Sequence, residues 1–177
     1  EGWRAATDPE PAVIGRAGMG WSYFYGALAR KGEPLKVEGD KRAPAGVYSI
    51  GRPFGMVASQ HANYIHVRPD TVCVDDPGVR AYNTITTRAS IAPDTRIENM
   101  GRIVPMYRRG IVVEYPTNAR AQAGSCIFIH VWKSPATGTE GCVALPEARV
   151  EALQDFTRSE AARKAAIAIL QIGRAHV

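Results

Sequence analysis

The sequence predicts a mainly β domain, a sandwich or a barrel, with a helix that follows a central cysteine. The 17 glycines and 12 prolines are spread along the 177 residues, which favours short strands joined by turns over a helical bundle. Short apolar runs lie between these turn residues. One of them, in residues 124–132, is apolar on both faces, as an interior strand requires. Apolar residues recur at helical spacing only after Cys142.

Composition is consistent with one globular domain. The chain is 45% hydrophobic and 22% charged, with a net charge of +5 and a pI near 9.3. This charge suits an anionic partner such as nucleic acid, acidic lipid or a cell-wall polymer, and it also fits a soluble protein that is merely basic. No Lys/Arg block is interleaved with aromatic residues, so we do not expect nucleic-acid binding. No stretch approaches the ~20 apolar residues of a membrane span.

The two ends of the chain lead to separate expectations. The chain begins at Glu1, so we expect the domain, residues 1–171, to be incomplete at its N-terminus and to have lost a signal peptide. Residues 172–177 match one translated reading frame of a sequencing-adapter oligonucleotide. We expect them to be non-native and leave them out of the fold. The sequence contains no indication of the oligomeric state.

The first half of the chain predicts short strands separated by turns. Residues 13–16 are interpreted as a strand and residues 18–21 as a turn. Pro44 and Gly46 predict a second turn, from which a strand over 47–50 begins. Residues 71–74 form a short β-rich run. Four aromatic residues near the N-terminus suit either core packing or a substrate wall: Trp21, Tyr23, Phe24 and Tyr25.

The second half predicts a hairpin and two helices. Residues 97–100 are interpreted as a helical turn, and residues 103–107 and 111–115 as two strands joined through 108–110. Pro146 suits the first turn of a helix, which continues with apolar residues at helical spacing: Val150, Leu153 and Phe156. The alanine-rich residues 159–171 predict a second helix.

Several polar residues are interpreted without assigning them a ligand. His61 and His66 have no Cys, Asp or Glu at metal-ligand spacing, so we predict no metal site and no cofactor. Asp75 and Asp76 are expected to cap a turn. Asp40 and its neighbour Lys41 are expected at a solvated loop tip.

Three cysteines are an odd number. If Cys142 stays free, Cys73 and Cys126 are left as a possible disulfide, which would require an oxidising compartment. Two buried free thiols fit the sequence equally well.

The residues from Cys126 to Cys142 contain the strongest candidate chemistry. Alternation along the predicted strand places His130 on one face, near the strand's end, together with three other residues: Cys126, Phe128 and Trp132. A histidine within reach can take the proton of a cysteine thiol. Gly141 allows a tight turn that aims the Cys142 N–H at a developing oxyanion. A helix starting directly after Cys142 would lower the pKa of its thiol. A core histidine and a buried structural cysteine fit the same residues.

The wider pattern resembles the YkuD-type L,D-transpeptidase catalytic domain. In that family a histidine precedes a Ser/Thr-His-Gly-Cys motif, to which His130 and Thr139-Glu140-Gly141-Cys142 are similar. Other stretches within residues 13–146 also resemble the family: Glu38-Gly39-Asp40, Pro44-Ala45-Gly46-Val47-Tyr48, Cys73-Val74-Asp75-Asp76-Pro77, Tyr82-Asn83 and Gly124-Ser125-Cys126.

The resemblance implies a YkuD-like β fold and a cysteine acyltransferase in the periplasm or cell envelope. Cys142 would be the nucleophile and His130 the base, oriented by a backbone carbonyl, with Gly141 in the same catalytic loop. Thr139, Glu140 and Trp132 would contact substrate. The substrate would be a peptidoglycan tetrapeptide stem, whose terminal D-alanine leaves before an amine of a neighbouring stem accepts the acyl group.

Two positions depart from the family motif. Glu140 stands where the family usually has histidine, and Ala144 stands where it often has arginine. These departures bear on substrate orientation and on the acceptor. An L,D-carboxypeptidase or amidase with the same Cys–His pair is one alternative, and a non-catalytic cell-wall-binding domain is another.

Overall fold

The structure is a computed structural model that describes residues 4–5, 11–103 and 105–170. It confirms a mainly β chain. The described strands are β1 (Met19–Trp21), β2 (Ala43–Gly55), β3 (Ile65–His66), β4 (Thr71–Val74), β5 (Ile85–Thr87), β6 (Ile97–Glu98), β7 (Arg109–Glu114), β8 (Phe128–Val131), β9 (Val143–Leu145) and β10 (Ala166–Ile169), and the α-helix is α1 (Glu147–Phe156). The segment 172–177 lies outside the described residues.

The strands form one large mixed sheet and one small antiparallel sheet. The large sheet has the order β1-β2-β7-β8-β9, with β3 and β10 also paired to β2. The small sheet has the order β5-β4-β6. Within the described part of the chain the large sheet stays open, so the barrel alternative of the sequence prediction is not realised.

Strand β2 is longer than the sequence predicted because several other strands pair with it. Its first residues pair in parallel with β1, Gly20 lying opposite Pro44, and later ones pair antiparallel with β7 and β10. Pro44 and Gly46 are therefore strand residues and not a turn. The predicted turn over 18–21 is wrong for the same reason, because residues 19–21 form β1.

Alternation along β8 separates two core clusters, as predicted. Ile127, Ile129 and Val131 belong to the cluster that includes Val150 of α1. Cys126 and Phe128 belong to a second cluster, which contains Cys73 of β4, Phe54 of β2 and Cys142. The second cluster lies between the large and small sheets and forms the surroundings of the candidate site.

The predicted helix after Cys142 is confirmed as α1, and it packs across β7 and β8. Pro146 occupies the N-cap position without a side-chain hydrogen bond, and Val150 is fully buried. The buried Gln154 donates from Nε2 to the carbonyls of Phe54 and Gly110, both at 2.8 Å. These bonds join α1 to the backbones of β2 and β7.

Three other predictions are wrong. The hairpin is replaced by a 3-10 turn at Met106–Arg108, and β7 pairs instead with β2 and β8. Residues 97–98 form β6, and a 3-10 turn follows from Met100. In residues 159–170 a 3-10 turn is followed by β10, because the free edge of β2 offers backbone partners that outweigh alanine's helix propensity. Residue 171 of that predicted helix lies outside the described residues.

Smaller predictions have mixed outcomes. Residues 13–16 form isolated bridges, Val13 to Ala144 and Gly15 to Thr139, and no continuous strand. Asp76 accepts from the Gly78 N–H at 2.8 Å, as expected for a turn cap. Tyr23 and Phe24 are about half exposed, so these two are not core residues. No helix within the described ranges is long and apolar enough to cross a membrane.

Candidate active site

Strands β8 and β9 bring His130 and Cys142 to the same side of the large sheet. The two strands run parallel, with His130 opposite Ala144. Cys142 immediately precedes β9, and its Sγ accepts from the N–H of Phe128 at 3.3 Å. His130 lies two residues beyond Phe128 on β8. Both candidate residues are buried, with 5% and 7% of their surfaces exposed.

The orientation of the His130 ring fixes its tautomer. Nδ1 lies 2.8 Å from the carbonyl oxygen of Val131. A carbonyl only accepts hydrogen bonds, so Nδ1 carries the proton and Nε2 has the free lone pair. Burial lowers the pKa of His130, opposed by the bond to Val131. The ring is therefore neutral near pH 7, and Nε2 carries the lone pair that a base requires.

Cys142 rests as a thiol. Burial raises the pKa of Cys142 to about 12, and the charge of Glu98 adds to the effect. Its Sγ donates to the Cys126 carbonyl at 3.4 Å. Strand β9 separates Cys142 from α1, so no helix starts directly after Cys142 and the condition for a helix N-terminus to lower its thiol pKa is not met. Among the described residues no hydrogen bond joins the His130 ring to Sγ.

Thr139 and Gly141 shape the loop that presents Cys142. The Thr139 hydroxyl donates to the Cys142 carbonyl at 2.6 Å and accepts from the Gly141 N–H at 3.1 Å. Gly141 has φ +141°, a region that favours glycine, and a Cβ there would lie 3.1 Å from the Arg42 carbonyl. In the described chain the Cys142 N–H has no hydrogen-bond partner. This loop leaves one backbone donor beside the sulfur.

The predicted substrate contacts are distributed around this loop. Glu140 is exposed and pairs with Arg16 at 3.1 Å, so its side chain points away from the buried thiol. Trp132 follows β8 and is half-buried, and its backbone N–H donates to Leu145 at 2.9 Å. Thr139 makes loop-shaping bonds. The structure thus brings Gly141, Thr139 and His130 to Cys142 and places Glu140 and Trp132 at the periphery.

An apolar cleft of about 780 Å³ lies on the opposite side of the sheet. It is lined by Ile129, Val143 and Leu145, together with residues of α1 and β10. These strand residues alternate with His130 and Ala144, so the cleft faces away from the thiol. We therefore do not assign it to the chemistry of Cys142.

Two residues beside Cys142 were missed by sequence reasoning. The buried Tyr107 donates its hydroxyl proton to Glu98, and Tyr107 belongs to the same core cluster as Cys142. Its ring packs edge-on against His130, with centroids 5.2 Å apart. Burial raises the pKa of Glu98 to about 7. The sequence did not indicate either residue, because Glu98 lies in a segment predicted as a helical turn and Tyr107 in the wrongly predicted hairpin.

Lys36 is a buried cation near the catalytic loop. Its ammonium pairs with Asp40 at 2.5 Å and donates to the Val37 carbonyl at 2.7 Å. A Cβ on Gly141 would lie 4.0 Å from Nζ, and the positive charge favours the thiolate of Cys142. Asp40 is therefore a structural partner of Lys36 and not a solvated loop tip as predicted.

The motifs that resemble the L,D-transpeptidase family meet in space. Glu38 accepts from the hydroxyls of Tyr82 and Ser125. Asn83 accepts from the Cys126 N–H at 2.8 Å, and Cys126 is disulfide-bonded to Cys73. Of the two alternatives that the sequence left open, the structure shows the disulfide. These contacts fix the segment that leads into β8.

No protein-family model, curated protein or solved structure matches this chain. Among the described residues there is also no cluster of three or more His, Cys, Asp or Glu side chains that could hold a metal ion. The functional proposal therefore depends on the geometry around Cys142 and on the resemblance of motifs described above.

We expect the stability of the fold to fall between pH 5 and 8 because of Glu98. Desolvation raises the pKa of this carboxyl from 4.5 to about 7, with the hydrogen bond from Tyr107 opposing it and the charges of Asp75 and Glu38 adding to it. A raised pKa in the fold means that the stabilisation is complete below pH 4.5 and is lost as the pH rises through about 7. The loss is at most about 3 kcal/mol.

Urea unfolding at pH 5 and pH 8 measures this effect. Glu98→Gln is neutral throughout and should flatten the decline. His130 acts in the opposite direction, since its lowered pKa costs stability as the pH falls. An equally steep decline in Glu98→Gln would show that another group is responsible.

Proposed function

We propose that this chain is a cysteine acyltransferase that acts on peptidoglycan stem peptides by L,D-transpeptidation. The observation that carries the proposal is the placement of Cys142 and a neutral, carbonyl-oriented His130 on the same side of two adjacent strands. A purely structural cysteine does not need a histidine base or a free backbone N–H beside its sulfur. The ordered motifs that resemble the family supply the substrate class.

The proposed reaction begins with proton transfer. The thiol turns from the Cys126 carbonyl towards His130, and Nε2 takes its proton as the sulfur attacks the carbonyl carbon of the L,D peptide bond. This movement is required because the resting thiol is bonded elsewhere, as catalytic groups without substrate often are. The Cys142 N–H then donates to the developing oxyanion.

Acyl transfer completes the cycle. Collapse of the tetrahedral intermediate breaks the C–N bond, and the imidazolium gives its proton to the departing D-alanine amine. A thioester remains on Cys142. An amine of a second stem then attacks the thioester, Nε2 removes the amine's proton, and the thiol is regenerated with that proton.

The disulfide supports placement in the cell envelope. Bonds such as Cys73–Cys126 form and persist in oxidising compartments, where peptidoglycan is also assembled. The positive net charge of the chain suits an anionic wall polymer.

A product assay tests the proposal. The purified chain is incubated with disaccharide tetrapeptides, and the products are separated and identified by mass spectrometry. We expect cross-linked dimers and free D-alanine with the unchanged chain and none with Cys142→Ala. His66→Gln, on the exposed part of β3, is the matched control and should retain activity. Tripeptides without dimers would identify a hydrolase, and sacculus binding without any product would contradict both enzymatic assignments.

A further inference from the structure

The early aromatic residues of the chain lie on a closed surface loop. Residues 22–35, which we name the aromatic loop, leave β1 and return to it. The Trp21 N–H donates to the Pro34 carbonyl at 2.8 Å, and the Lys36 N–H donates to the Trp21 carbonyl at 2.7 Å. A 3-10 helix, Tyr23–Leu28, forms the first half of the loop. Compact surface loops whose ends meet in this way are frequently functional.

Polar groups hold the aromatic loop in its conformation. Ser22 is fully buried, and its Oγ accepts from the Phe24 N–H at 3.4 Å. The Glu33 carboxylate accepts from the Trp21 indole N–H at 2.7 Å and from the Arg30 N–H at 2.8 Å. None of the six residues of the 3-10 helix is buried. The loop is therefore ordered while its large apolar side chains remain exposed.

The exposed apolar side chains of the protein are concentrated at this loop. Of the seven large hydrophobic side chains that are exposed in the described part of the chain, five lie in residues 23–37. The other two adjoin the loop. The Val47 carbonyl accepts from the Tyr25 hydroxyl at 2.9 Å. Leu170 lines the same small cavity as Trp21. Single exposed apolar residues are common, but a contiguous group of this kind marks an interaction surface.

Two basic residues accompany the apolar ones. Arg30 and Lys31 are exposed and follow the 3-10 helix, in which Phe24 is 54% and Leu28 62% exposed. Glu33, the acid of the loop, already accepts two hydrogen bonds within the fold. Exposed aromatic and aliphatic side chains beside Arg and Lys are typical of surfaces that bind at a membrane interface. The net charge of +5 favours an anionic membrane.

We propose that the aromatic loop is a docking surface for an anionic lipid bilayer. Phe24 and Leu28 enter the headgroup region, where their apolar surface leaves water. Tyr23, which has an apolar ring and a polar hydroxyl, lies at the boundary of that region. Arg30 and Lys31 contact the lipid phosphates.

Two other occupants fit these residues less well. A twofold contact with a second copy would use the same surface on both sides and would place the charges of Arg30 and Lys31 from both copies in one interface, where they repel. A sugar strand of the cell wall carries many hydroxyl groups, which need hydrogen-bond partners when they leave water. Phe24 and Leu28 offer such groups no partner.

Co-sedimentation of the full chain with lipid vesicles tests the proposal. We expect binding to vesicles made of equal parts of phosphatidylcholine and phosphatidylglycerol, and much weaker binding to phosphatidylcholine alone. Added salt should weaken the binding because it screens exposed charges. Phe24→Ser combined with Leu28→Ser should weaken binding at least about tenfold. Lys31→Gln should weaken it about fivefold.

The matched control for charge is Arg68→Gln. Arg68 is exposed and follows β3, which pairs with the last residues of β2, whereas β1 and the aromatic loop adjoin the first residues of β2. This variant should bind as the unchanged chain does. An equal loss in Arg68→Gln and Lys31→Gln would show that only net charge matters and would overturn the proposal. Urea unfolding of each variant checks that the chain is folded.

A fluorescence measurement reports contact of the loop itself. In Phe24→Trp the added tryptophan should shift its emission to shorter wavelength when the mixed vesicles are present, measured as a difference from the unchanged chain. An emission that does not change while the protein sediments with the vesicles would place the membrane contact elsewhere and would overturn the proposal.

The other occupants predict different results without vesicle binding. Self-association that Phe24→Ser with Leu28→Ser abolishes would assign the loop to a second copy. Sacculus binding that the same variant abolishes would assign it to the cell wall. Either result overturns the proposal, as does a complete lack of vesicle binding. Cys142→Ala should bind vesicles as the unchanged chain does, so failure of the product assay and failure of vesicle binding are independent.

Discussion

Replacing His130 by glutamine is expected to slow acylation of Cys142 by roughly 10²- to 10⁴-fold, the usual contribution of a general base. The thiol has a pKa near 12 in the fold, so almost no thiolate is present at pH 7 without a base. Val131 holds the ring proton on Nδ1, which leaves Nε2 as the acceptor. Glutamine fills part of the same space and has no comparable basic nitrogen.

The rate of acyl-enzyme formation with a carbapenem, followed by mass spectrometry, measures this loss directly. The pH dependence of the acylation rate gives a second measure of the role of His130. In the unchanged chain the rate should fall as His130 becomes protonated, below its ordinary pKa because burial lowers it. His130→Gln should lack this acid limb, and its residual rate should rise with pH as the thiol ionises. His66→Gln should behave as the unchanged chain.

An unchanged acylation rate in His130→Gln would assign the proton to another acceptor. Glu98 is one alternative, since the charge of its carboxylate acts on Cys142. In that case Glu98→Leu would abolish acylation. With His130 as the base, Glu98→Leu removes a charge that raises the pKa of the Cys142 thiol and leaves the base in place, so the two variants have opposite expected effects.

The central part of the site follows from short-range pattern. The continuous apolar run over residues 124–132 indicated an interior strand, and the alternation of side chains along any strand placed His130 on the face opposite Ile129. The strand itself is shorter than predicted, because Cys126 has φ +55° and lies in the preceding loop. Gly141 was correctly associated with a tight turn, because the positive φ that such a turn requires is a property of the glycine itself.

The environment of Cys142 depends on contacts that no short window contains. Glu98 and Tyr107 come from β6 and from a 3-10 turn, and their approach to Cys142 requires the small sheet to pack against the large one. A lowered thiol pKa was expected only if a helix followed Cys142 directly, and β9 lies between Cys142 and α1 instead. Residues 166–169 became a strand through pairing with β2, which alanine content cannot indicate.

Replacing both Cys73 and Cys126 by alanine is expected to lower the free energy of unfolding by roughly 4 kcal/mol. The bond closes a loop of 53 residues, and a closed loop of that length restricts the unfolded chain strongly. It also joins β4 of the small sheet to the segment that enters β8. Urea unfolding at pH 7 measures the loss, and reductant added to the unchanged chain should reproduce it.

The same substitution is expected to act on the site through Cys126. Its carbonyl accepts from Cys142 Sγ, and its N–H donates to Asn83, whose amide also holds the Tyr115 carbonyl. Without the disulfide, only hydrogen bonds hold this segment, those of Asn83 and the bond from Ser125 to Glu38 among them, and the resting position of the thiol loosens. Alkylation of Cys142 should then become faster at a given pH even where the chain remains folded.

The control for the stability measurement is Cys142→Ala, which keeps the disulfide and should lose far less stability than the double substitution. If the free energy of unfolding of the double variant lies within about 1 kcal/mol of that of the unchanged chain, hydrogen bonding and packing hold the two sheets together without the disulfide.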